Sequence, residues 1–130
     1  MKKKNLKAHE KDVKTGRAIS IKQPFVEEIL LGKKKYEYRS RQTHIRGRVY
    51  LYASKGKVTD EARWKKVGLN PGDLPTGQII GSVEIVDCKI FENLGCYGYK
   101  LKNPRRYKTP IAPKMKAQPC FFFPFGKRDD

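Results

Sequence analysis

Three groups of residues in this 130-residue chain have types and spacing that can do chemistry. The first is Gly32-x-Lys34-x-x-Glu37-x-Arg39. Side chains alternate across a strand, so Glu37 and Arg39 share one side and Lys34 stands at the strand's mouth. Cations placed like this can hold a phosphate or a base edge, while the carboxylate accepts from an exocyclic amino group. The same spacing also describes a surface ion pair of small energetic weight. The second is Glu84, an ionisable group inside the most apolar run of the chain, QIIGSVEIVDC. Inside a barrel it is costly unless it meets a cation such as Lys34 or Arg39, and paired in a pocket it is a candidate acid or base. On a solvent-facing strand it is ordinary. The third is the supply of rings: Tyr36, Tyr38, Tyr50, Tyr52, Trp64, Tyr97, Tyr99 and Tyr107. Basic grooves with stacking rings bind single-stranded nucleic acid at ~1–3 kcal/mol per stacked base, and core packing accounts for the same rings equally well.

The elements that must position these groups follow from pattern. Ala18, Ile19 and Ile21 make a short strand that ends before Gln23-Pro24. Proline suits the first helical position, so a helix starts at Pro24; Phe25, Val26, Ile29 and Leu30 share one face, and Gly32 stops it. Glu27 and Glu28 fall in its first turns, where the helix dipole favours carboxylates. Lys33 to Arg39 alternate as a strand with an aromatic side and an ionic side. Arg48 to Ala53 make a strand covered on both faces. Thr59-Asp60-Glu61-Ala62 opens a second helix that Gly68 closes, and LNPGDLPTG is loop. Gln78 to Cys88 is a central strand with Gly81 as a bulge or close-contact point. Tyr97–Leu101 and Tyr107–Ile111 read as two shorter strands either side of Asn103-Pro104, and CFFFPF closes the sheet. The class is α+β, a small β-barrel of about six strands with two short helices inserted.

Thirty Lys and Arg against thirteen Asp and Glu give +17, which favours a polyanionic partner, nucleic acid ahead of an anionic membrane surface. Residues 1–17 carry seven basic and two acidic residues, so a charge of +12 stays with the rest and the body itself is basic. With almost no apolar content, residues 1–17 are expected to form a mobile arm ahead of a single domain at 18–126. No window holds the ~20 apolar residues of a membrane span, and the N-terminus lacks an apolar leader, so a cytoplasmic protein is expected. Cys88, Cys96 and Cys120 form no C-x-x-C pair and meet only two histidines. No metal site, disulfide framework or cofactor is expected, and phosphate-loop, dinucleotide and zincin motifs are missing.

The residues Ser20-Ile21-Lys22-Gln23-Pro24-Phe25, Gly32-Lys33-Lys34, Glu37-Tyr38-Arg39-Ser40, Thr43, Arg46-Gly47 and Tyr52-Ala53-Ser54-Lys55 together resemble the ASCH domain. Gly81-Ser82-Val83-Glu84, Tyr99 to Pro104 and the terminal aromatic strand fit too. The resemblance covers about residues 17–125. It implies a PUA-like β-barrel with a cleft beside the first helix and a role in binding RNA or another nucleic acid or nucleotide. The family's pocket motif G-x-K-x-x-E-x-R falls on Gly32, Lys34, Glu37 and Arg39, which makes that set a site. The expected contact residues are Lys22, Gln23, Pro24, Lys34, Glu37, Arg39, Ser40, Arg46, Ser54 and Lys55.

Some small relatives are amidohydrolases of N4-acetylcytidine that use a lysine, a threonine and a glutamate. Here the lysine falls on Lys34 and the glutamate on Glu84, while Glu37 occupies the threonine position. A carboxylate nucleophile would form a labile mixed anhydride, so Glu84 or Glu37 would instead have to activate water, with Lys34 or Arg39 holding the oxyanion. Two function classes therefore stand: an RNA binder, and a metal-free hydrolase of a modified pyrimidine nucleoside or of RNA acting through Lys34, Glu37 and Glu84. Docking of an acidic protein partner is a third.

Overall fold

The structure is a computed structural model that describes residues 6–127. Six strands form one sheet: β1 (Ala18–Gln23), β2 (Tyr36–Arg39), β3 (Gly47–Lys57), β4 (Gln78–Phe91), β5 (Cys96–Ile111) and β6 (Phe121–Phe122). Their order is β2-β5-β4-β3-β1-β6, and the sheet curls into a half-barrel of PUA-like type. β1 lies parallel to β3, and the other neighbours are antiparallel. The helices are α1 (Ala8–Asp12), α2 (Phe25–Leu30) and α3 (Glu61–Val67).

Period-two burial on β3 divides the interior in two. Val49, Leu51 and Ala53 join Ile19, Ile21, Val83, Ile85 and Tyr99 in an inner core that α2 covers with Val26 and Ile29. Tyr50 and Tyr52 join Val13, Ala18, Ile79 and Phe122 in an outer core on the other face. Every residue from Arg48 to Ala53 is buried, as a strand covered on both faces requires. At Gly81 a Cβ would collide with the Arg105 carbonyl oxygen and the Leu30 side chain, so the bare backbone lets α2 and β5 close on β4.

Three expectations need correction. Tyr97–Leu101 and Tyr107–Ile111 are one strand, β5. Glu84 pairs with Lys102 and Ser82 with Arg105, so Asn103 and Pro104 face Val83 alone. The proline that reads as a break therefore sits in a bulge, where its missing N–H leaves no gap in the ladder. Secondly, the helices number three among the described residues. The added one lies in the expected arm, and the third correction concerns that arm. Residues 1–5 fall outside the described residues, and residues 6–17 are docked. Val13 is 0% exposed. His9 Nδ1 lies 2.8 Å from the Tyr50 hydroxyl, and the Thr15 hydroxyl donates to the Arg48 carbonyl at 2.7 Å. One valine and a handful of polar contacts suffice here because the outer core offers matching partners, which no composition argument registers. Among the described residues no helix is long and apolar enough to cross a membrane.

Candidate nucleic-acid interface

The site begins with how α2 is held. Gln23 is fully buried; its Oε1 accepts from the Glu27 amide at 3.1 Å and its Nε2 donates to the Pro75 carbonyl at 3.1 Å. One side chain thus serves the N-terminus of the helix and anchors the loop before β4. The helix starts at Phe25, one residue later than expected, with Pro24 as its cap. At its other end Gly32 takes φ +76°; its amide donates to Ile29 and the Lys33 and Lys34 amides donate to Glu28, a Schellman closure that aims the lysine run along the sheet. Glu27 is clamped by both Nη atoms of Arg106, and Glu28 by Nη2 of Arg63, whose guanidinium also lies 4.9 Å from the centre of the Phe25 ring. Dipole reasoning accounts for acids in a first turn and misses both partners, which arrive from β5 and α3.

β2 then delivers Glu37 and Arg39. Glu37 is 6% exposed. Its Oε2 accepts from Arg39 Nε at 2.9 Å, and its Oε1 lies 3.7 Å from Lys34 Nζ. Arg39 Nη2 also donates to the Ser20 carbonyl at 2.7 Å, which ties β2 to β1 across the open seam of the half-barrel. These bonds use two of the five guanidinium N–H groups, so Arg39 keeps donors for a ligand. The Lys34 ammonium sits 5.1 Å and 4.9 Å from the centres of the Phe25 and Tyr38 rings. Beneath Glu37, burial pushes the Tyr99 phenol up to about 12, and its hydroxyl donates to the Arg41 carbonyl. Burial likewise raises the Cys120 thiol, against the opposing pull of Arg39.

Along this seam runs an open cleft of about 880 Å³, lined by Ser20, Lys22, Phe25, Glu37, Arg39, Tyr52, Ser54, Lys55, Gly77 and residues 112–119. Its lining carries Lys22, Arg39, Lys55, Lys114 and Lys116 against the single carboxylate Glu37. A hollow of this size is in the range of small-molecule sites, and its charge balance is cationic. Ser20, Phe25, Gly77 and the strap at 112–119 are not among the expected contacts, and Tyr52 enters only as one of the candidate rings. Phe25 reads as a core residue of α2, and the strap carries no motif beyond its two lysines.

Of the expected contact residues, Lys22, Glu37, Arg39, Ser54 and Lys55 line this cleft. Lys34 reaches its wall through Glu37. Gln23 and Pro24 are buried and serve the fold. Ser40 and Arg46 are exposed outside the lining, with Arg46 Nη1 donating to the Thr43 and Ile45 carbonyls.

Glu84 does not join them. It alternates with the inner-core residues Val83 and Ile85 and so projects to the outer face, whereas Glu37 stands opposite the inner-core Tyr99. Its Oε1 accepts from Arg48 Nη2 at 3.2 Å and from Asn103 Nδ2 at 3.3 Å. Its cation is Arg48, where Lys34 or Arg39 is expected from the sequence, and the sheet separates it from Lys34 and Glu37. A hydrolase built on those three groups therefore lacks its geometry. Most of the tyrosines obey the packing reading: Tyr50, Tyr52 and Tyr99 are buried and Tyr97 and Tyr107 pack against the two cores, while Tyr38 is 42% exposed. Among the described residues no three His, Cys, Asp or Glu are grouped to hold a metal ion.

The family model of the ASCH domain matches residues 19–114. No curated protein matches the chain.

Proposed function

Because the chain belongs to the ASCH domain family, a PUA-like fold family associated with RNA binding, we propose that it binds single-stranded RNA, seating one nucleotide in the seam cleft. The observation that carries this reading is the cleft lining, with five cations around one buried carboxylate that Arg39, one of the five, and Lys34 hold in place. Lys22, Lys55 and the remaining donors of Arg39 hold phosphate. Glu37, oriented by Lys34 and Arg39, accepts from an exocyclic amino group at the cleft wall, and the rims of Phe25 and Tyr52 supply apolar contact to the base.

The test is fluorescence anisotropy of a labelled single-stranded RNA across a salt series. Binding weakens steeply with salt, and the Lys22→Gln/Lys55→Gln variant lowers the slope of log K against log salt by about 1.4, at ~0.7 per phosphate contact on a single strand. An affinity that hardly changes with salt, or a double variant that keeps the wild-type slope, refutes the reading.

A further inference from the structure

Beyond the seam cleft, a second hollow of about 480 Å³ opens on the other side of Lys34, between the chain that leaves α2 and the bulge of β5. We propose that this hollow is a phosphate-backbone subsite for the RNA flanking the nucleotide in the cleft, so that the ligand is a strand and not a single nucleotide; the proposal rests on the RNA-binding reading of the cleft.

Four lysines line it, Lys34, Lys35, Lys100 and Lys102, and no carboxylate does. Lys35, Lys100 and Lys102 make no ion pair among the described residues. Three lysines without an ion pair thus line one hollow, and an anion bound there offsets the repulsion between their charges. The backbone beneath them is fixed. The Lys34 amide donates to Glu28 and the Lys35 carbonyl accepts from the Leu101 amide at 2.9 Å, which ties the lysine run to both α2 and β5. On the far rim Asn103 adopts φ +53°, and its carbonyl accepts from the buried Arg48 at 2.8 Å. Arg48 thus fixes the bulge at the rim of the hollow.

The two concavities share a wall. Lys34 lines the second hollow while its ammonium reaches Glu37, which lines the first. Its contact with the ring of the exposed Tyr38 leaves an aromatic step on the ridge between them. A strand crossing that ridge meets cation, ring and cation in turn, the pattern that tracks single strands without reading sequence.

The experiment compares a labelled ten-nucleotide RNA with cytidine 5′-monophosphate on three proteins: wild type, Lys35→Gln/Lys100→Gln/Lys102→Gln, and the surface control Lys65→Gln/Lys66→Gln/Lys89→Gln, which removes the same net charge. The hollow variant is expected to bind the ten-nucleotide RNA about tenfold or more weakly, with a salt slope smaller by about 2, and to bind the mononucleotide as wild type does. The control keeps both affinities. Wild-type binding of the long RNA by the hollow variant, or an equal loss in the control, overturns the proposal. Failure of the cleft reading looks different: there the Lys22/Lys55 variant is silent on both probes while the hollow variant still weakens the long one.

Discussion

Replacing Arg48 by methionine tests whether Glu84 belongs to the framework or to the chemistry. The Arg48 side chain is 6% exposed. It donates to Ser82 Oγ at 2.9 Å, to Glu84 Oε1 at 3.2 Å and to the Asn103 carbonyl at 2.8 Å, and its Nε lies 3.8 Å from Asp12. Methionine fills similar volume and strands these acceptors unequally. The Glu84 and Asp12 side chains are 35% and 33% exposed, so water takes over much of their solvation and the ~3–5 kcal/mol of a fully buried broken pair is not reached. Ser82 is 0% exposed and loses a charged donor, at ~1–3 kcal/mol. With about 1 kcal/mol more for the coupling to the two carboxylates, the expected loss is ~2–4 kcal/mol, or roughly 8–15 °C in Tm for a chain of this size. Urea denaturation followed by circular dichroism reads it, and a cycle with Glu84→Gln should return a coupling of ~0.5–3 kcal/mol. The Glu84→Gln variant itself keeps wild-type affinity for mononucleotide, since it faces away from the cleft. A stability change below about 0.5 kcal/mol for Arg48→Met, the size of an ordinary surface substitution, would refute the assignment.

Two further outcomes follow from packing and burial. Gly81→Ala drives a methyl group against the Arg105 carbonyl and Leu30, and is expected to cost ~1–3 kcal/mol and lower Tm by roughly 4–12 °C, a shift that calorimetry would show as absent if α2 were not pressed on β4 there. The Tyr99 phenol, raised by burial from 10.0 to about 12, keeps its proton when folded at pH values where the unfolded chain has lost it. Stability is therefore unaffected by this group below pH 10 and falls as pH rises from there towards 12. Denaturation midpoints across that range should slope less in Tyr99→Phe than in wild type; equal slopes would count against the burial.

Individual residues show how far the chain could be read unaided. The strand-helix-strand run from Ala18 to Arg39 was legible because its signals are local: β-branched alternation, a proline at the helix entrance and a glycine at its exit each act on their own φ and ψ. Gly81 was legible as a close-contact point for the same reason. The bulge at Asn103-Pro104 was not, because a proline that ends a strand and a proline that sits in a bulge differ only in what the neighbouring strand does. Residues 6–17 were misread because one buried valine is invisible to composition. Gln23 and Pro24 adjoin the site in sequence, while in the structure both are buried at the entrance of α2.

By itself the sequence determined the α+β class, the basic character of the body and the pairing of Glu37 with Arg39, since spacing along one strand fixes which side chains share a side, whereas Lys34 joins them from the turn that leaves α2. Only the tertiary structure decided which charges meet from distant segments. Strand order sets Arg48 against Glu84 and β1 against the tip of Arg39, and those adjacencies depend on register and curl, which are collective properties of the sheet. That is why one predicted carboxylate faces a cleft and the other closes a buried arginine on the opposite side.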